Sequence, residues 1–316
     1  MKNFADLLVR RIAELDNPTV MGLDPKLEYI PEHIIDEAKK EFPDDPQKAT
    51  AQAIWLFNKA LIDAVYDIVP AIKPQFAYYE LYGIESLKVL DKTVKYAQSK
   101  GMLVIADCKR NDIGATSTAY AEGIIGSTQI IDGTSVSMSG FDCATVNGYL
   151  GIDGVKPFID VCSRDGKGIF ILVRTSNPSA GDLQDLELKD GRKVYEAMAE
   201  LVNGWGGDLV GEEGFSSVGA VVGATWPEQA VEIRKLMPNN LILVPGYGAQ
   251  GAGPDAAVAS FTADGKGSIV NASRSLMCAW KKRDDLAPVD FAKATRDEAI
   301  DMKTKLNNAL KDRKYI

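Results

Sequence analysis

Asp107, Lys109 and Asp112 place three charges within six residues at the end of the apolar run "LVIA", and the chain continues through "IGATS". Side chains alternate across a strand, so Leu103, Ile105, Asp107 and Lys109 are expected on one face and Val104, Ala106 and Cys108 on the other. If the first face lines a partly dry cavity, an unpaired ion there is costly and a paired one is tolerated. A rim salt bridge would account for one aspartate and one lysine. Lys73 in "IKPQ" and Asp24 in "GLDP" close apolar runs of their own, and together the charges alternate in sign, which is more than an ion pair requires. Carboxylates beside Lys109 favour its charged form, so it reads as a held ammonium and a proton donor, unsuited to Schiff-base chemistry.

A second group lies near the C-terminus. "LILVPGYGAQGAG" carries glycines at 246, 248 and 251 after a strand-like run, immediately preceded by Pro245, Tyr247 and Gln250 respectively. The spacing imitates a dinucleotide fingerprint but comes late in the chain, and no clear helix begins at Gly251. A phosphate loop fits better, because Ser273 and Arg274 in "NASRS" follow the next run. Arginine offers a fork of donors matched to phosphate oxygens, and Ser273 can add a backbone N–H.

The elements that must position these groups are eight short apolar runs: "TVMGLDP", "PAIKPQ", "MLVIADCK", "CATVNGY", "GIFILVRTS", "VGAVVGAT", "LILVPGYG" and "GSIVNASRS". Amphipathic stretches separate them. Strand and helix alternating eight times, with strands too apolar to keep one wet face, predict an α/β chain folded as a (β/α)8 TIM barrel. It has extra N-terminal helices and an insertion after the fifth strand that reads as a lid with one helix. Residues 1–316 read as one domain, without a linker. In such a barrel the site lies where strands end, which selects Asp24, Lys73, Asp107, Lys109, Asn147, Arg174, Ser176 and Thr225.

Composition narrows the chemistry. With 36 Lys+Arg against 44 Asp+Glu and a net charge of -8, no basic stripe is left to follow a nucleic-acid backbone. No run reaches the roughly 18 apolar residues of a membrane span. Cys108, Cys143, Cys162 and Cys278 are scattered, as expected of a cytoplasmic protein. His33 is the single histidine and reads as a helix-start residue, so neither a Ser-His-Asp triad nor a histidine metal site is expected.

The D-x-K-x-x-D pattern, with "GLDP", "IKPQ", "RTSNPS", "PGYGAQG" and "NASRS" in the same order, resembles the orotidine 5'-phosphate decarboxylase family in its longer bacterial form. The resemblance implies cofactor-independent decarboxylation of orotidine 5'-monophosphate to uridine 5'-monophosphate, the last step of de novo pyrimidine synthesis. It implies no metal. Lys109, fixed by Asp107 and the neighbouring subunit's Asp112, would stabilise and protonate a carbanion at ring carbon C6, with Lys73 completing the charge array and helping to order the ribose. Asp24 would bind the ribose and Ser176 the pyrimidine; Pro245, Tyr247, Gln250, Ser273 and Arg274 would bind the remainder of the nucleotide around its phosphate. It further implies a homodimer in which Asp112 and Thr116 reach the neighbouring subunit's pocket. The alternative is a Mg-dependent sugar-phosphate decarboxylase or aldolase of the same barrel superfamily, which shares D-x-K-x-x-D.

Overall fold

The structure is a computed structural model that describes residues 3–248 and 251–313. Eight strands form the barrel: β1 (Thr19–Leu23), β2 (Ala71–Pro74), β3 (Leu103–Arg110), β4 (Cys143–Val146), β5 (Gly168–Arg174), β6 (Ser216–Val222), β7 (Asn240–Val244) and β8 (Ser268–Ala272). Each pairs in parallel with its sequence neighbours, and β8 returns to β1, closing the sheet. The predicted (β/α)8 barrel is therefore present, with all eight expected runs as its strands.

Alternation gives the barrel two cores. Val20, Ala71, Ile105, Cys143, Phe170, Leu243 and Ile269 point inward and pack together. Val104, Ala106, Ile169, Ile171 and their counterparts point outward against the helices. The N-terminal helix Phe4–Leu15 stoppers the lower end, its Phe4, Ala5 and Leu8 joining the inner cluster. Phe4 meets Phe170 edge-on at 6.2 Å, and a Cβ on Gly168 would strike the Phe4 ring at 2.2 Å. Burying such a ring is worth roughly 1.5–3 kcal/mol.

Of the helices between β1 and β2, Glu32–Glu41 and Pro46–Val65, the first is, like Phe4–Leu15, an additional one expected from sequence, and the second is the crossover to β2. His33 is exposed in the first turn of the former. The amphipathic stretch after β2 is two helices, Phe76–Glu80 and Ile84–Ser99, because Gly83 at φ 77° turns the chain between them. The region after β5 also differs from the expectation. Its one long helix, Val194–Trp205, packs against β5 and β6 as an ordinary crossover helix, so the added part is residues 175–193, containing the 3-10 turn Pro178–Ala180 and the one-turn helix Gly181–Gln184. A small hairpin, Thr128–Gln129 with Ser135–Val136, was not anticipated. No described helix is long and apolar enough to cross a membrane.

Candidate active site

At the C-terminal mouth the inward face changes character within one strand repeat. Ala71 is followed inward by Lys73, Ile105 by Asp107, Cys143 by Thr145 and Ile269 by Asn271. Strands β2, β3 and β4, with β8 on the far side of β1, thus deliver a polar ring on top of an apolar plug.

Asp107 is the centre of that ring. Its Oδ2 receives Lys73 Nζ at 2.5 Å and Gln75 Nε2 at 3.1 Å; its Oδ1 receives Lys109 Nζ at 2.5 Å and the Thr145 hydroxyl at 3.1 Å. Lys73 is 4% exposed and Asp107 6%, whereas the Lys109 side chain is 45% exposed. Burial alone would raise the Asp107 carboxyl, but the ammonium groups of Lys73 and Lys109 outweigh it and hold the group well below the usual carboxylate range. Burial would likewise lower the Lys73 amine; the fields of Asp107 and Asp24 reverse this and hold it above its ordinary value.

Lys109 reaches Asp107 by a route that simple alternation did not foresee. Ala106 pairs with Ala144, but Arg110 already pairs with Val146, so four steps along β3 face two along β4. In this bulge Lys109 adopts φ 43°, a left-handed conformation that costs a residue with a Cβ roughly 1–2 kcal/mol. Thr145 offsets the strain: its Oγ1 accepts the backbone N–H groups of both Cys108 and Lys109 at 3.0 Å while its own proton goes to Asp107.

Asp24, at the end of β1, faces the same cavity. Burial pushes its carboxyl up; the Lys73 charge and a hydrogen bond from Ser273 pull it down without compensating, and Asp107 adds to the rise. Gly22 makes this corner possible, because a Cβ there would lie 1.9 Å from Ser273 Oγ. The Ser273 hydroxyl bonds Asp24 and accepts Asn271 Nδ2 at 3.3 Å.

One cleft of about 420 Å³ joins the two groups of residues. Asp24, Lys73 and Asp107 line one part; Pro245, Tyr247, Ser273 and Arg274 line another. Arg274 opens the short helix Arg274–Met277 directly after β8. Gln250 lies outside the described residues.

Other expected residues stand elsewhere. Ser176 sits on the β5 rim against Gly223 and is not part of the cleft wall. Arg174 is fully buried. Asn147 is a turn residue, accepting Tyr149 N at 2.9 Å, and Thr145 holds the site position at the end of β4 instead. Asp112 is bonded to the Ile113 N–H, forms no ion pair with Lys109 among the described residues, and stands with exposed Thr116 on an outward face. Gln75, Thr145, Asn271, Lys26, Tyr29 and Tyr78 were missed. Gln75 and Asn271 carried a signal, being polar residues two positions beyond an inward one.

A closed parallel barrel with a lysine–aspartate cluster and an arginine in one cleft at its C-terminal mouth defines a (β/α)8-barrel enzyme. The chain belongs to the orotidine 5'-phosphate decarboxylase / HUMPS family, whose model matches residues 50–286. It is 41% identical over 309 residues to an orotidine 5'-phosphate decarboxylase of Rhodopirellula baltica, covering 97% of this chain and 99% of the relative. One from Caldicellulosiruptor saccharolyticus is 38% identical over 314 residues, covering 98% and 100%. Among solved structures, the OMP decarboxylase of Leishmania donovani superposes with a TM-score of 0.70 at 29% identity, covering 96% and 99%.

Proposed function

We propose that the chain, acting over residues 1–316 as one domain, decarboxylates orotidine 5'-monophosphate to uridine 5'-monophosphate. The observation that carries this reading is a single carboxylate, Asp107, held by two ammonium groups in a cleft that also presents Arg274. The family description spans more than one activity, but relatives matching almost the whole chain bear the decarboxylase name.

Loss of CO2 leaves the bonding electron pair on C6, in the plane of a ring that offers it no delocalisation. The protein must then supply the stabilising charge. Lys109, the more exposed of the two lysines, places its ammonium beside C6, stabilises the pair and donates its proton to it. Asp107 fixes that ammonium and lies near the departing carboxylate; two like charges about 4 Å apart at an effective dielectric near 20 repel by roughly 4 kcal/mol, a secondary contribution. Lys73 and Asp24 order the ribose. Arg274, with Pro245, Tyr247, Gln250 and Ser273, binds around the phosphate, and its binding energy draws the loops over the site. Ser176 meets the pyrimidine. None of these steps requires a metal or an organic cofactor.

The active unit is a homodimer. Ile113, Tyr149, Leu150 and Ile152 are exposed around the point where the Asp112 carbonyl abuts Gly154, an apolar surface suited to a second copy. Asp112 and Thr116 project from that face toward the partner's pocket. Four free cysteines support a cytoplasmic setting.

The test is the fall in orotidine monophosphate absorbance with purified protein and excess chelator. Turnover undiminished by chelator supports the proposal; turnover that requires added Mg²⁺ refutes it and favours the sugar-phosphate reading.

A further inference from the structure

Arg174 is an arginine with no exposed surface, placed at the end of β5 immediately before the loop that carries Ser176. Alternation from Phe170 and Leu172 would aim it into the barrel. Instead Leu172 pairs with Val221 and Arg174 with the very next residue, Val222, so one extra residue on β5 turns Arg174 out into the helix layer. There its three nitrogens serve three separate acceptors: Nε donates to Gln229 Oε1 at 2.6 Å, Nη1 to Gln184 Oε1 at 3.3 Å and Nη2 to Asp185 Oδ2 at 3.1 Å. The plane is sandwiched between Trp226, 4.5 Å from the guanidinium carbon, and Tyr195 at 5.5 Å.

The same partners fix Thr175. Gln184 accepts its N–H at 3.0 Å and donates to its hydroxyl at 2.8 Å, and Trp226 Nε1 donates to its carbonyl at 3.0 Å. The N–H, the carbonyl and the hydroxyl oxygen of the residue preceding Ser176 are therefore each bonded to a side chain that Arg174 holds, and the hydroxyl proton goes on to Asn177 Oδ1 at 2.6 Å. Packing alone does not ask for this, since a buried ion pair replaced by apolar groups of similar size is often neutral or stabilising. A rigid fork reaching three segments supplies geometry instead.

We propose that Arg174 is a positioning residue: it sets the base of the β5 loop so that the loop meets the pyrimidine ring, and thereby determines ring recognition without touching substrate. This rests on the reading above that the β5 loop contacts the base.

The test compares binding of uridine 5'-monophosphate with binding of ribose 5-phosphate, which keeps the sugar and phosphate and lacks the ring. Arg174→Lys keeps the charge and loses the fork; Gln184→Ala removes the link to Thr175 from a half-exposed position and serves if the first variant folds poorly. Each is expected to weaken the nucleotide about tenfold, the equivalent of one lost hydrogen bond, with ribose 5-phosphate affinity unchanged. Equal losses for both ligands, or no loss in a folded variant, overturn the proposal. Ser176→Ala is measured alongside. If it behaves like wild type while Arg174→Lys shows the selective loss, the positioning role stands and only the assignment of Ser176 fails.

Discussion

The hydroxyl of Thr145 lies 3.1 Å from Asp107 Oδ1 and simultaneously accepts the backbone N–H groups of Cys108 and Lys109, each at 3.0 Å. One side chain thus anchors the central carboxylate and stabilises the left-handed turn that brings the Lys109 ammonium to it. Thr145→Val keeps the shape and removes all three bonds. Leaving two N–H groups without partners is expected to cost about 1–3 kcal/mol in denaturant unfolding. Misplacement of the ammonium should lower kcat by about 10- to 100-fold with KM little changed. Unchanged kcat would show that the bulge holds Lys109 without Thr145.

Asp24 and Asp107 have opposite pH signatures. Asp107 is depressed below the usual carboxylate range, so the stability it contributes is present above the unfolded value near 3.9 and is lost only as pH falls through its lower folded value. Asp24 is raised by burial, so the native state binds its proton more tightly than the unfolded chain does, and stability falls as pH rises through the interval above about 3.9.

Asp24→Asn should accordingly raise the melting temperature at pH 7 by about 2 °C, with the gain shrinking in acid where Asp24 is already protonated. The same substitution should raise KM, since the ribose loses its carboxylate partner. Thermal melts at several pH values check the sign. A variant less stable than wild type at pH 7 would mean that the ionised carboxylate is held more favourably here than its burial implies.

The barrel was legible because its eight strands are nearly continuous apolar runs, and the charged cluster because Lys73 and Asp107 each stand two residues beyond an inward apolar one. Thr145 was hidden by its ordinariness, and Asn147, the more conspicuous polar residue, lies past the strand end in a turn. The β3 and β5 bulges could not be read from residue type, because nothing in "ADCKR" or "LVRTS" marks a register shift between partner strands. That is why alternation gave the right neighbour for Lys109 by the wrong backbone path. It is also why Arg174 looked like a rim residue when it is buried behind one. Ser176 stands off the cleft wall, and nothing in "TSNPS" separates a ligand-facing serine from an ordinary turn residue.

The cross-subunit role proposed for Asp112 and Thr116 has a complementation test. Lys109→Ala and Asp112→Ala chains, each inactive alone, are unfolded together and refolded. Random pairing should restore roughly a quarter of the wild-type sites, one per mixed dimer. No recovery, once subunit exchange is proven by mass-tagged chains, would put Asp112 in its own subunit's site.

The central claim is that the Lys109 ammonium stabilises an electron pair on C6, and by microscopic reversibility the same site must then assist removal of the C6 proton from the product. The direct measurement is loss of the C6 proton signal of uridine 5'-monophosphate in D2O, followed by proton NMR with wild-type and Lys109→Ala proteins at saturating nucleotide. Wild type is expected to exchange that proton for deuterium, and Lys109→Ala to bind the nucleotide yet leave it in place. Exchange by Lys109→Ala at the wild-type rate would contradict the account.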